Sequence, residues 1–444
     1  MRGNSVSRRG FLSAAVATSV AATTGLASCS RGSTTGEGGA NLDSAAPFDG
    51  EHQAGIATQQ QSRLHFAAFD VTTTDRAELI GLLKTWTQMA RRMTQGDPAT
   101  ASAEDMSEYA VPEDTGEAWD LPPANLTITI GFGPTLFDNR FGLKSARPAE
   151  LTQLPHFPSD QLQDNLCGGD LCIQACADEP QVAVHAVRNL ARAGSGLVRY
   201  KWSQLGFGHA SATTRNQETP RNLFGFKDGT NNLKAEDTDD FNEHVWVSGT
   251  NTWLDGGAFL ISRRIRMLLE NWDRQVLADQ EETFGRQKLS GAPLGREDEF
   301  DELPLDEYHG TSGPVIPEVA HSRLANPAEN GGMRMLRRAY NFSDGIDEFG
   351  HLDSGLFFIA LVNSPGEAVH PHPDAAGQAR QVERVRALRV VVHLRLPAGH
   401  LRRGRLVGPG AFRGDGEHLS GSTPRRRSSS FSACSCWRRS CRRQ

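Results

Sequence analysis

Residues 62–71, SRLHFAAFDV, read as a buried β-strand, and the pattern that follows them sets the fold. Their apolar side chains form a short dense run bounded by polar residues. From Asp75 to Met93 the period changes. Leu79, Leu82, Leu83, Trp86 and Met89 recur at helical spacing, with Thr74 and Asp75 placed to cap the first turn. Strand patterns follow at 126–132 and 170–177, then a helix at 180–193 with Pro near its start, then a strand at 197–205. This order is the split βαβ unit of a ferredoxin-like fold. After a glycine-rich interval it begins again, with a strand at 257–267, a helix at 268–287, and strands at 333–341 and 355–362. The expected fold class is α+β: duplicated ferredoxin-like units packed sheet against sheet into a dimeric α+β barrel-type body. A second helix and a closing strand are due after 362, where no such pattern is read, so the second unit is expected to be incomplete at its C-terminus.

The two ends differ from this body. Residues 1–28 carry Ser7-Arg8-Arg9-Gly10-Phe11-Leu12 and a weakly apolar run to Leu26, the signature of a twin-arginine export signal. The run is too short and polar for a stable membrane span. Leu26-Ala27-Ser28-Cys29 resembles a lipobox, which reads either as lipidation of Cys29 or as ordinary signal-peptidase cleavage with Cys29 discarded or left free, and 29–47 reads as a Gly/Ser/Thr-rich tether. The expected address is the periplasm, the cell envelope or an extracytoplasmic membrane surface. Residues 366–444 hold sixteen Arg, no Lys and five acidic residues, which leaves 31 basic against 48 acidic side chains in 1–365. An acidic body argues against nucleic-acid binding. Arginine pairs, Ser runs and three late cysteines in 366–444 resemble a shifted reading frame of GC-rich DNA more than a basic arm. Between the ends lie an N-terminal unit, 48–215, and a C-terminal unit, 216–365.

Cys167, Cys172 and Cys176 fit no zinc spacing. The strand alternation of 171–176 makes Cys172 and Cys176 small core hydrophobes. Gly225-Phe226-Lys227-Asp228-Gly229 is more informative. It reads either as a turn with a solvated Asp or as an acid held where backbone passes close to something flat or bulky.

Taken together, FDGEHQAGI (48–56), GGDLCIQACADEP (168–180), RNLFGFKDGTNN (221–232), AHSRLANP (320–327), MLRRAYNF (335–342) and LDSGLFFIALV (352–362) resemble the dye-decolorizing, or DyP-type, haem peroxidases. The export signal and the FDGEHQAGI opening are most similar to the exported deferrochelatase/peroxidase branch, which is linked to iron uptake. The resemblance implies haem b (iron protoporphyrin IX), with His321 as proximal iron ligand in the C-terminal unit. Asp353 is the implied carboxylate partner of His321. Asp228 and Arg337 are the implied catalytic pair, a proton carrier and a fixed positive charge, with turnover highest at acidic pH. Arg338, next along a strand, should point away. Asn222, Asn231 and Phe259 are implied to line the pocket. Tyr340, Trp246 and Trp253 read as core or as electron relays. The implied substrates are hydrogen peroxide and small-molecule reductants. The twin-arginine translocase, iron-uptake membrane proteins and a second copy of the chain are the implied partners. Release of iron from haem, or haem carriage without turnover, are the rival activities.

Overall fold

The computed structural model describes residues 41–102, 107–152, 160, 162–250 and 252–368, together with the backbone of 392–396. The twin-arginine segment, Cys29 and the tether up to residue 40 lie outside the described residues, as do 369–391 and 397–444.

The first unit runs β1 (Arg63–Val71), α1 (Arg76–Met93), β2 (Thr127–Phe132), β3 (Leu171–Ala177), α2 (Pro180–Ala193) and β4 (Val198–His209). Asp75 caps α1, its carboxylate accepting from Ala77 N–H at 2.6 Å. The strands pair antiparallel in the order β2-β3-β1-β4. After a short helix α3 (Thr238–His244), the second unit runs β5 (Ala258–Arg266), α4 (Leu269–Trp272), α5 (Leu277–Phe284), α6 (His321–Leu324), β6 (Leu336–Arg337), β7 (Tyr340–Ile346) and β8 (Leu352–Val362). One edge of β8 pairs with β5, the other with β6 and β7. This is the expected duplicated ferredoxin-like α+β fold.

Two features depart from expectation. The single helix expected over 268–287 is broken into α4 and α5. The Gln280 side-chain amide donates to the carbonyls of Trp272 and Gln275, satisfying helix-end groups that a continuous helix would have paired itself. The unpaired edge expected after 362 is also covered. β9 (Val392–Leu396) pairs antiparallel with β5 from Ala258↔Leu396 to Ser262↔Val392, and meets β2 at Phe132↔Arg395. Arginine-rich composition hid this strand, although VVVHLRL (390–396) has the β-branched, alternating pattern of one. With β4 paired to β7, strand pairing runs full circle, β5-β9-β2-β3-β1-β4-β7-β8 and back to β5.

Period-2 alternation assigns the faces of this closed sheet. Leu64, Phe66, Cys172, Cys176, Leu260, Phe342, Phe357, Ile359 and Leu361 form one core, enclosed between the two units. Phe66, Phe342 and Phe357 have no exposed area, so truncating any of them to Ala costs about 3–5 kcal/mol. Phe69, Val71, Leu79, Leu83, Trp86, Ile173 and Leu190 form a second core under α1 and α2. The outer face of the second unit carries a third: Phe224, Phe226, Met267, Trp272, Ala339 and Leu356. The candidate site is built on that outer face.

Candidate active site

Asp228 stands in a tight loop. Its N–H donates to Pro220 O at 2.8 Å, and Arg221 bridges Lys227 across the loop. Both flanking glycines have positive φ, +83° at Gly225 and +109° at Gly229. A Cβ on Gly229 would lie 3.0 Å from Ala212 N and Ser211 Cα. The bulky neighbour that the sequence pattern called for on that side is therefore the chain's own backbone. Asn222 orients the carboxylate, its Nδ2 donating to Asp228 Oδ2 at 3.2 Å while its Oδ1 accepts from Phe224 N–H at 3.0 Å.

Arg337 reaches the same carboxylate from β6. Leu336 points into the enclosed core, so its neighbour Arg337 leaves the opposite face, and Arg337 Nη1 donates to Asp228 Oδ1 at 2.6 Å. Both partners of this pair are partly accessible, 24% for Arg337 and 14% for Asp228. Arg338 turns inward, as expected. It is fully buried and donates to the carbonyls of Ile56 and Thr58 and to Gln61 Oε1.

His321 opens α6, and the approach of α5 sets its place. Gly285 ends α5 in the left-handed region, at φ +71°. A Cβ there would meet Ser322 Oγ at 2.5 Å and Ala320 Cβ at 3.1 Å, so only glycine lets the two helices touch. Phe284 packs edge-on against the His321 ring at 5.8 Å between centroids, and behind it Phe226 stacks on Phe284 at 4.1 Å. The His321 ring is accessible yet surrounded by protein. Burial lowers its pKa, with Asp228 opposing and Arg337 reinforcing the shift. His321, through Phe284 and Phe226, and the Asp228–Arg337 pair all belong to the outer side of the second unit. Among the described residues neither ring nitrogen of His321 has a hydrogen-bond partner. An imidazole with both ring nitrogens free, an aromatic neighbour in Phe284 and an acid–guanidinium pair on the same outer side are a donor set that fits an iron porphyrin.

Three implied site residues lie elsewhere. Asp353 does not meet His321. It accepts from Arg264 Nη2 at 2.8 Å and lies 3.9 Å from Arg266 Nε. Asp353 shares the odd-numbered, inward face of β8 with Phe357, whereas the His321 space lies on the outward face. There it lines a cavity of about 790 Å³ with Trp202, Arg264, Asp344 and Phe357. Asn231 is exposed, and its neighbour Asn232 takes the polar role. Phe259 is buried in the core that also holds Ile261 and Val362.

Sequence reasoning missed Asn232, Glu299 and Gly285. Glu299 pairs with Lys227 and accepts from Thr230 Oγ1 at 3.0 Å, bracing the Asp228 loop on either side of the acid. Burial pushes its pKa up, but bonds from Lys227, Thr219 and Thr230 outweigh that, and the net shift is downward. Lys234 is shifted downward by burial first and by Arg337 second, and its Nζ donates to Ala212 O at 2.8 Å, a carbonyl that also accepts from Asn232. The run Asn231-Asn232 was the one available sequence signal, without a means to choose between the two.

Comparison with known proteins gives the family and the fold. The model of the Dyp-type peroxidase N-terminal domain matches residues 53–208, and that of the C-terminal domain matches 219–378. The chain is similar to the Deferrochelatase of Yersinia pseudotuberculosis serotype I, at 40% identity over 329 residues, covering 72% of this chain and 74% of that one. It is similar to the Deferrochelatase of Escherichia coli K12 at 40% over 321 residues, covering 70% and 74%. Among solved structures, ferric DtpA from Streptomyces lividans matches with 35% identity and a TM-score of 0.73, covering 84% of this chain and 98% of that one. The DyP-type peroxidase from Cellulomonas bogoriensis matches with 34% identity and a TM-score of 0.71, covering 84% and 99%.

Proposed function

The chain belongs to the Dyp-type peroxidase family, a haem peroxidase by that membership, and from this premise we propose that it carries out peroxide chemistry on haem b at Asp228 and Arg337. The observation that supports these roles is the 2.6 Å pair between Arg337 Nη1 and Asp228 Oδ1, partly accessible on both sides.

His321 would hold the haem iron through a ring nitrogen. Bound haem would supply the redox chemistry that links two-electron peroxide reduction to one-electron donors. Asp228 can take a proton from one peroxide oxygen and return it to the other, and Asn222 keeps the second carboxylate oxygen oriented for that exchange. Arg337 holds a permanent positive charge where negative charge develops on the departing oxygen. Hydrogen peroxide, two protons and two electrons from one-electron donors thus become two waters and two oxidised donors. Broad-specificity small-molecule reductants are the proposed donors.

Two finer readings belong with this one. Export by the twin-arginine translocase, with Cys29 lipidated, follows from the Arg8-Arg9 segment and the lipobox pattern. Iron release from haem, in the service of iron-uptake membrane proteins, is the second activity, favoured by the name of the relatives that are 40% identical. A carrier without turnover would have no use for the Asp228–Arg337 pair. Asp228→Ala separates these readings. Unchanged haem absorbance with peroxide turnover down by about 100-fold or more supports the peroxidase roles. Wild-type turnover in that variant would remove Asp228 from them. Recovery of iron-free porphyrin without peroxide would instead support iron release.

A further inference from the structure

We propose that Asn232 is a positioning residue that sets the separation of Asp228 and Arg337, and that it does so by standing in for a missing strand beside β6. The inference rests on the reading of those two residues as the peroxide-handling pair. β6 ends the paired order of the sheet. Arg338 N–H turns inward to Ile359 O at 2.9 Å, so the N–H and C=O of Arg337 face off the edge. Asn232 takes both. Its Oδ1 accepts from Arg337 N–H at 2.8 Å and its Nδ2 donates to Arg337 C=O at 2.9 Å. This is the double exchange of an antiparallel ladder, made by a side-chain amide in place of a peptide.

The same residue is tied to the acid. Asn232 N–H donates to Gly229 O at 3.0 Å, closing the turn that begins directly after Asp228. Its Nδ2 also donates to Ala212 O at 3.1 Å, in the segment against which Gly229 packs. Asn232 is 3% exposed, so these groups have little water to fall back on. Asparagine alone supplies an acceptor and two donors at this reach. Aspartate keeps the acceptor and loses the donors, and leucine loses both. The acid's turn and the guanidinium's backbone are thus anchored to one side chain. A displacement of about 1 Å between groups that must act together costs up to ~100-fold in rate.

The test uses the haem-loaded full chain with Asn232→Ala, Asn232→Asp, Asp228→Ala and the Asn232→Ala/Asp228→Ala double variant. Asn232→Ala and Asn232→Asp should lower kcat for peroxide by about 10- to 100-fold with haem absorbance unchanged. In the Asp228→Ala background, Asn232→Ala should bring no further loss, because it acts through the pair. Amide hydrogen exchange gives a readout besides activity. The Arg337 amide should exchange about tenfold faster or more in Asn232→Ala, but stay protected in Asn232→Asp, which keeps the acceptor. Additive losses in the double variant, wild-type turnover in Asn232→Ala, or an unchanged Arg337 amide would each overturn the proposal. If Asn232→Ala does not fold, Asn232→Asp carries the test through its loss of turnover with a protected amide. Should Asp228→Ala itself retain full turnover, the underlying reading fails, and the exchange data still report whether the clamp exists.

Discussion

At Arg337 a lysine would keep the charge and lose the fork. The guanidinium spans from β6 to Asp228 Oδ1 with a donor to spare, whereas an ammonium is a flexible point charge. Arg337→Lys should therefore bind haem as the parent does and turn over peroxide about tenfold or more slowly, which stopped-flow measurement of peroxide consumption checks. His65, on β1, makes a separate prediction at the same scale. Burial pushes its imidazole down from 6.5 to about 4, and its Nδ1 is buried without a partner. The unfolded chain takes up that proton near pH 6.5, the folded chain only near 4. Stability from this residue is complete above about pH 6.5 and falls as the pH drops toward 4, by roughly 3 kcal/mol in all. His65→Gln should flatten that part of a pH series of urea melts, and a parental slope in the variant would refute the assignment.

Among the elements, two glycines govern close approaches, one beside the site and one within the sheet. Gly285 lets α5 abut α6, and alanine there would place a Cβ 2.5 Å from Ser322 Oγ in a left-handed conformation. Gly285→Ala should shift the residue that opens α6 and weaken haem binding, seen as a right-shifted hemin titration, and unchanged affinity would argue that α6 is placed by other contacts. Gly355 has a different task. Its φ is unremarkable, but a Cβ would sit 1.9 Å from Ile265 O, at the Arg266↔Gly355 end of the β5–β8 pairing. Gly355→Ala must part the two strands at that end, so a loss of about 2–4 kcal/mol, measured by thermal or urea melts, is expected. The element order was legible beforehand because periods of 2.0 and 3.6 are local properties. The break between α4 and α5 was not, since Gln280 satisfies carbonyls that lie outside its own turn of helix.

For the molecule as a whole, closure of the strand circle depends on β9. It covers the β5 edge from 258 to 262 and touches β2 through Phe132↔Arg395. A chain ending after residue 368 should expose the edges of β5 and β2 together, and so melt at lower temperature and self-associate more. Calorimetry and light scattering against the full chain check this, and an unchanged melt would show that β9 adds nothing to stability. Alternation, helical spacing and glycine placement were enough to read the α+β duplication, the inward cysteines and the opposition of Arg337 to Arg338, because each depends on neighbours along the chain. The same information could not say which space each face of β8 looks into. Asp353 has the parity of Phe357, and only the packing of two sheets makes that parity the enclosed face, remote from His321. Nor could it choose Asn232 over Asn231, since the choice depends on a strand edge more than a hundred residues away along the chain. Local chemistry is written in the order of residues, whereas the pairing of faces and edges exists only once the chain has closed on itself.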